Sequence, residues 1–458
     1  MNINYNSIKK ITFFISILIG LSSNVKSQNI YFGDLHTHSN LSFDSNPGNL
    51  DSLYKSVRDT ALLNFVCFTD HDWYSNETFW TISKQKANQY YQPGVFVTFI
   101  GYEFTKPRYE GGHRVVLYPG NTGERFSATV TSFDSLLIKV KRLHGLINVC
   151  HPDHESYYAY KEFRDPTVQK NIEMVGWSRY RSEYYGNPNP QPGQKKGYSV
   201  QDWLQFKEPI GFVGISDDHY NHPGRGCLTA IIADSLTRQD LFEAMNKRHN
   251  YATSGAKIKL SFTCNGYMMG DSIFYIAGHP LSFNGSVAGT APIQKIELIK
   301  NGLVIWFQNF TNARVDSVNQ ISFNLNQAID STSYYYLRVT QTDSHMAWSS
   351  PIFIYSSILT SVNIGTDPSK DKNDKVFSMY PNPTNASINL SFEPASINRN
   401  FHINVINILG ESVINEYVQI NANARTYNLD LLNLVSGVYY VVMNNNEVIN
   451  KSKFILVK

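Results

Sequence analysis

Little in this chain points to a charged partner. Charged residues make up only 17% of its 458 positions, and Lys plus Arg exceed Asp plus Glu by 40 − 37 = 3. That near balance lacks the electrostatic footprint of a nucleic-acid or anionic-membrane binder, so no nucleic acid is expected as a partner. Cysteine is scarce: Cys67, Cys150, Cys227 and Cys264, with no C-x-x-C pair, which argues against zinc-finger and thioredoxin-type motifs. Cys67 and Cys150 lie in apolar runs and read as small core residues. Export would permit a disulfide, but the sequence selects no pair. Beyond residue 27 no apolar run is long enough to cross a bilayer, so no transmembrane segment is expected in the mature chain.

Aromatic residues, by contrast, are plentiful at 14%, enough for large cores or ring-lined surfaces. The length suits roughly two to four domains. Residues 1–27 read as a Sec signal peptide: Lys9 and Lys10 precede an apolar core from Ile11 to Leu21, and Val25-Lys26-Ser27 offers a cleavage site. From 28 to 255 strand-like runs alternate with helical spacing. Leu50, Leu53, Val57 and Ala61 share one helix face, Phe133 to Leu143 is amphipathic, and Thr237 caps a helix through Leu241, Phe242, Ala244 and Met245. Repeated βα units favour a mostly parallel sheet, open or closed. Residues 157–206, rich in Tyr and holding Asn187-Pro188-Asn189-Pro190-Gln191-Pro192-Gly193, break the rhythm. Such an excursion serves as a lid or packs on itself, and the sequence leaves both open. Residues 256–356 alternate as strands at 258–263, 294–300, 303–307, 321–325 and 334–340, the pattern of a β-sandwich. A polar linker at 357–375 leads to a second small all-β unit at 376–458.

Nine of the 13 histidines fall between His36 and His222, most of them directly after a short apolar run. Asp34-Leu35-His36-Thr37-His38 follows Ile30-Tyr31-Phe32; Thr69-Asp70-His71 follows Phe65 to Phe68; Glu103 follows Val95 to Ile100. Cys150-His151-Pro152-Asp153-His154 follows Leu146 to Val149, and Ser216-Asp217-Asp218-His219 follows Phe212 to Ile215. Strand ends on one face of an α/β sheet are where such folds place chemistry. Alternate residues on a strand share a side, so His36 and His38 suit one ion, and Asp217 and His219 have the same relation. Mixed nitrogen and oxygen donors suit Zn, Mn or Fe. Asp70 is expected to orient His71 or a loop, and His144 to cap the helix before it. His249, His279, His345 and His402 show no partner pattern and read as surface or structural residues.

These motifs, with Ser42-Phe43-Asp44 and His113, resemble in order those of the polymerase-and-histidinol-phosphatase (PHP) superfamily over residues 30–255. His222-Pro223-Gly224-Arg225-Gly226, Tyr251-Ala252-Thr253-Ser254-Gly255 and Ala347-Trp348-Ser349-Ser350-Pro351 resemble an uncharacterised exported branch of it. The resemblance implies an α/β fold, a distorted seven-stranded β/α barrel, here followed by the β-sandwich and the small all-β unit. It also implies two or three divalent metal ions as cofactors for phosphoester hydrolysis. Carried across residue by residue, His36, His38, Glu103 and Asp217 hold the first metal. Glu103, His113 and His151 hold the second, with Glu103 bridging, and Asp44, His71 and His219 hold the third. A small phosphorylated substrate is then expected. Arg114 and Arg225 are the candidate phosphate clamps, with Arg179 and Arg181 behind them, and His154 or His222 the proton donor to the leaving group.

Met379-Tyr380-Pro381-Asn382-Pro383, Val405-Ile406-Asn407-Ile408-Leu409-Gly410-Glu411 and Leu434-Val435-Ser436-Gly437-Val438-Tyr439-Tyr440 resemble the C-terminal sorting domain of type IX secretion cargo. That resemblance implies the type IX machinery as a partner and a secreted or cell-surface location. The function expected is an exported metal-dependent hydrolase, most simply a phosphoesterase. Two alternatives stay open: hydrolysis of a non-phosphate bond, and a surface carbohydrate- or protein-binding module with a structural metal site.

Overall fold

The computed structural model of the chain describes residues 29–457, apart from 46–47, 74–76, 221, 277–279, 311–317, 326–331, 358–376, 395–398, 408–411, 422–424, 435–436 and 445–448. The expected signal peptide, His279 and nearly all of the expected linker lie outside the described residues.

The first part of the chain builds strands β1 (Asn29–Thr37), β2 (Phe65–Phe68), β3 (Val97–Thr98), β4 (Ile100–Thr105), β5 (His113–Tyr118), β6 (Leu146–Val149), β7 (Gln169–Gly176), β8 (Tyr180–Arg181), β9 (Gly211–Gly214), β10 (Leu228–Ala233) and β11 (Asn250–Thr253). Its helices are α1 (Leu50–Lys55), α2 (Glu77–Tyr90), α3 (Phe133–Arg142), α4 (Val200–Leu204) and α5 (Arg238–Asn246). Local sequence explains them. Ser132 accepts a hydrogen bond from Ser135 N to start α3, and Phe133, Leu136, Leu137 and Val140 form its buried stripe. His144, at φ 54°, takes the left-handed position that follows the end of this helix. Thr237 caps α5 through Asp240 N, and Leu241, Phe242, Ala244 and Met245 are its buried face.

The fold is mixed α/β and strand-rich, and the expected seven-fold β/α alternation is kept only in part. Strands β1, β2 and β3 run parallel with α1 and α2 between them, and β6, β7 and β9 also run parallel. Elsewhere antiparallel pairs replace crossovers: β4 with β5, β5 with β6, β1 with β10, β10 with β11. The connection between β4 and β5 holds only the 3-10 turn Arg108–Glu110, too short for the crossover that a parallel pair would need. The excursion at 157–206 is not wholly irregular either, because β7, a core strand, lies inside it.

Two sheets result, one carrying β11-β10-β1-β2-β3 and one carrying β4-β5-β6-β7-β8, with β9 on β7. They meet through the bridges Thr37↔Asp218 and His71↔Glu103, and Asn250 Nδ2 donates to Phe212 O at 2.8 Å. A side chain at Gly214 would place its Cβ 2.5 Å from Leu228 O and 2.8 Å from Thr253 O, so this close approach requires glycine.

The remaining strands are β12 (Lys259–Cys264), β13 (Tyr267–Met268), β14 (Ser272–Ile276), β15 (Leu281–Ala288), β16 (Ile293–Lys300), β17 (Leu303–Asn309), β18 (Val318–Leu325), β19 (Ser333–Gln341), β20 (Met346–Ser349) and β21 (Ile352–Ser357). Strands β13-β12-β15-β18 form one sheet. The others extend the first sheet, because β20 pairs antiparallel with β11; one sheet therefore runs from the metal-bearing strands into the β-rich region. The C-terminal unit packs a three-stranded sheet (Phe377–Tyr380, Ser387–Phe392, Thr426–Asp430) against a four-stranded one (Arg399–Asn407, Ser412–Ile420, Gly437–Asn444, Ile449–Leu456) around its own core, including Ile388, Leu390, Ile403 and Val441.

Candidate metal centre

The strand ends of β1, β4, β5 and β6, and the loops after β1, β2 and β9, bring nine side chains together: His36, His38, Asp44, His71, Glu103, His113, His151, Asp217 and His219. Among the sets whose donor atoms lie within 4.8 Å of one another are His36, His38 and Asp217; Glu103, His113 and His151; and His38, Asp44, His71 and His219, the first and last sharing His38. Glu103, wholly buried, stands between sets. Its Oε1 lies 2.8 Å from His113 Nδ1 and 3.3 Å from His151 Nε2, and its Oε2 lies 3.2 Å from His36 Nε2 and 3.4 Å from His38 Nε2. Asp217 Oδ1 is 3.2 Å from His38 Nε2 and 3.4 Å from His36 Nε2. Asp44 Oδ2 is 3.2 Å from His71 Nε2 and 3.4 Å from His219 Nε2.

The donor set fits divalent cations. His36 Nε2 and Glu103 Oε2 are both buried, and neither has a hydrogen-bond partner within the protein. Left so, each would cost several kcal/mol of lost hydration; a cation between them satisfies both. Electrostatics agree. Burial alone would raise Glu103, yet His71, His36 and His113 pull its carboxyl well below the usual range. Burial holds His38 down to about 3 despite Asp217, so its imidazole is a neutral donor. His151 and Asp217 sit at φ 33° and 49°, left-handed backbone that is uncommon outside glycine and clusters at functional sites.

A further layer of side chains fixes the donors. Glu173 Oε1 accepts from His36 Nδ1 at 2.7 Å and Oε2 from His151 N at 2.7 Å, which leaves Nε2 of His36 facing Glu103 and Asp217. The sequence reading missed this residue; its one signal is a carboxylate in the otherwise apolar run Ile172 to Val175. Asp70 accepts from Ser39 N and Ser39 Oγ, so it ties down the loop after His38 rather than His71. Asp34 holds Ser216 and the backbone of Gly224. Cys150 lies within reach of His36 and Glu103. All four cysteines are buried and free, with no disulfide.

The centre opens into a cavity of about 650 Å³, and the expected helper residues divide on it. His154 lines the cavity. Burial first, then His151 and His113, lowers its imidazole to about 4. Its Nδ1 accepts from Ser156 N at 3.2 Å, so the neutral ring carries its proton on Nε2. Arg114 is a correction. Successive strand residues face opposite sides, so with His113 turned to Glu103, Arg114 points into the core. Its guanidinium lies 4.8 Å from the Phe133 ring and 5.7 Å from the Trp203 ring, and it cannot clamp a substrate. His222 and Arg225 are further corrections: both are exposed and neither lines the cavity. Arg179 and Arg181 do not line it either. The cations that do are Lys106, paired with Glu110 at 2.9 Å, and Arg108, which donates to Glu155 O at 2.7 Å. Both follow β4 in the turn Lys106-Pro107-Arg108, which nothing in their spacing marks.

Comparison with known proteins adds three findings. Residues 378–458 match the secretion system C-terminal sorting domain, so the chain ends in a sorting domain, which implies handling by the type IX machinery and delivery to the cell surface or outside. Residues 51–137 and 187–272 match the protein of unknown function family DUF3604. The chain is similar to an uncharacterized protein of Chlamydia pneumoniae (28% identical, covering 71% of this chain and 57% of that one). It is also similar to one of Chlamydia trachomatis (30% identical, 72% and 58%). It thus spans under two thirds of these relatives' length. Among solved structures, a two-domain protein of Bacteroides vulgatus containing a predicted PHP-like metal-dependent phosphoesterase aligns over 71% of this chain and 95% of that one, at 13% identity and a TM-score of 0.41. The lesion-specific endonuclease Q of Pyrococcus furiosus aligns over 48% and 56%, at 16% identity and a TM-score of 0.33. No helix among the described residues is long and apolar enough to cross a membrane.

Proposed function

For a chain that ends in a sorting domain and gathers six histidines and three carboxylates at one cavity, we propose an exported metal-dependent phosphoesterase. The observation that carries this is the nine-residue donor set around Glu103, whose Oε1 faces His113 and His151 and whose Oε2 faces His36, His38 and His71. In this reading residues 28–255 form the catalytic unit, their two sheets an opened version of the PHP barrel, and 256–356 a β-rich companion. His36, His38, Glu103 and Asp217 would hold one ion, Glu103, His113 and His151 a second, and Asp44, His71 and His219 a third. When bound, such ions supply Lewis-acid polarisation of phosphoryl oxygens and a more acidic water.

The protein's own share is positioning and charge, which is most of what phosphoryl transfer asks of it. Glu173 keeps the His36 ring in one orientation and holds the backbone of His151, whose ring Nδ1 lies 3.5 Å from the same carboxylate. Lys106 and Arg108 offer positive charge on the cavity wall to a phosphate, and His154 Nε2–H offers a hydrogen bond to a substrate oxygen. The reaction adds water across the ester: a new P–O bond forms, the P–O bond to the leaving group breaks, and the water's proton ends on the departing oxygen. Mass spectrometry of the purified chain is expected to find two or three equivalents of Zn, Mn or Fe, reduced in a His36→Ala/His38→Ala variant. The loaded chain is expected to hydrolyse phosphoesters. A chain that takes up no metal after reconstitution, or stays inert when loaded, would falsify the reading.

A further inference from the structure

The mouth of the metal cavity is built from rings. Phe43, Trp73, Tyr109, Tyr157, Trp177 and Tyr220 all line it, and each leaves between 37% and 68% of its surface exposed. They come from six separate segments: the loops after β1, β2, β4, β7 and β9 supply all but Tyr157, which follows β6 and His151. Scattered exposed apolar residues need no explanation, but a contiguous group around a polar site marks a binding surface. Trp177 adds a second sign, because a bulky residue at φ 48° is strained backbone of the kind found at ligand sites. Tyr157 links rim to floor: its ring lies 4.9 Å from that of His113 and 4.9 Å, stacked, from that of His154. Phe43 does the same on another side, 5.5 Å from His71 and 6.4 Å from Trp73.

We propose that this rim selects phosphoesters whose organic group carries a flat aromatic ring, a nucleobase or an aryl group, and holds that ring by stacking while the phosphate enters the metal floor. This rests on the phosphoesterase reading above and names its substrate class. Every aromatic heterocycle or aryl group has a π-face, so stacking accepts the class without reading one member. Sugar phosphates fit less well. A hydroxyl-rich group asks for hydrogen-bonding side chains beside each ring; the cavity's carboxylates, Asp44, Glu103 and Asp217, belong to the metal-donor set, which leaves Gln191, Ser156 and Thr105 as its amide and hydroxyl side chains against six exposed rings. Lys106 and Arg108 complement the phosphate that such a substrate carries.

Calorimetric titration of the metal-loaded full chain with phenylphosphonate and with methylphosphonate tests the inference, since neither can be hydrolysed. Phenylphosphonate is expected to bind about tenfold more tightly. Trp177→Ala should erase most of that preference while leaving methylphosphonate affinity unchanged, and Trp177→Phe should restore it. Equal affinity for the two phosphonates, or rim variants that weaken both alike, would overturn the proposal. Turnover without ring preference would leave the phosphoesterase standing and remove the ring site. Ring-dependent binding to a chain that hydrolyses no phosphoester would do the reverse.

Discussion

Glu173 shows how one residue outside the donor set can govern it. Its two oxygens each engage a different element, His36 on β1 and the backbone of His151 after β6. Removing its charge should loosen the His36 ring and the backbone that carries His151 without removing a ligand. Glu173→Gln keeps the shape but accepts from His36 Nδ1 through one neutral oxygen, so metal affinity is expected to fall about 10–100-fold. Competition with a chelator measures this directly, and an affinity unchanged from the parent would show that the bond is incidental. The donors were legible in sequence because each sits at the end of an apolar run, and the i, i+2 pairs declare a shared side. Glu173 was not, since a single carboxylate inside a strand looks the same whether it faces a metal centre or an ion pair. Arg114 misled for a related reason: adjacency to His113 in sequence means the opposite side of the sheet.

Between elements, the most consequential contact outside the centre is a buried polar knot that joins the 157–206 excursion to the extended sheet. Glu183 accepts from Tyr336 Oη at 2.7 Å, Arg338 Nη1 at 3.0 Å and Trp348 Nε1 at 2.9 Å. Arg338 also reaches Glu297 at 2.8 Å. Taking away one partner of such a group strands the others in the interior, which typically costs about 3–5 kcal/mol. Glu183→Ala is therefore expected to lower the unfolding free energy by about that amount while metal content of the folded fraction stays normal. Denaturant titration checks it; a loss under about 1 kcal/mol would mean that water replaces the carboxylate. Elements were legible where a cap and a stripe coincide, as in α3 and α5. The 14-residue α2 was not, because its buried side is the mixed set Trp80, Ser83, Ala87 and Tyr90 rather than an aliphatic stripe. The continuity of the sheet through β11 and β20 was also hidden, since pairing between strands nearly 100 residues apart leaves no local trace.

At the scale of the molecule, the sorting domain rests on the body. Asn415 Nδ2 donates to Ser272 O at 2.7 Å, and the His402 ring stacks on Tyr355 at 4.4 Å. Deletion of 376–458 is expected to strand the protein in the periplasm, because the address for outer-membrane passage lies there. Fractionation of the native host reads the outcome, and surface delivery of the truncated chain would contradict it.

The same contact makes the sorting domain sensitive to acid. Burial, with Arg248 adding to it, lowers His402 to about 4 against the hydrogen bond that its Nε2 donates to Asn415 Oδ1, which works the other way. In the unfolded chain this imidazole titrates near its ordinary 6.5. Above that both states are neutral and the residue adds no pH dependence. As pH falls from about 6.5 to about 4 the unfolded state binds a proton that the folded state refuses, so stability drops, by on the order of 3 kcal/mol across the window. Asp34 and Asp70, raised by burial to about 6, act in the opposite sense: their folded forms keep a proton that the unfolded chain releases, so they favour folding as pH falls. The net slope of the whole chain therefore does not isolate His402, but a difference between variants does. His402→Gln removes only the imidazole. Melting curves at several pH values are expected to show wild type losing stability relative to this variant between about 6.5 and 4, and running parallel to it above 7. Parallel curves throughout would mean that His402 meets water in solution and that the sorting domain does not seat on the body as described.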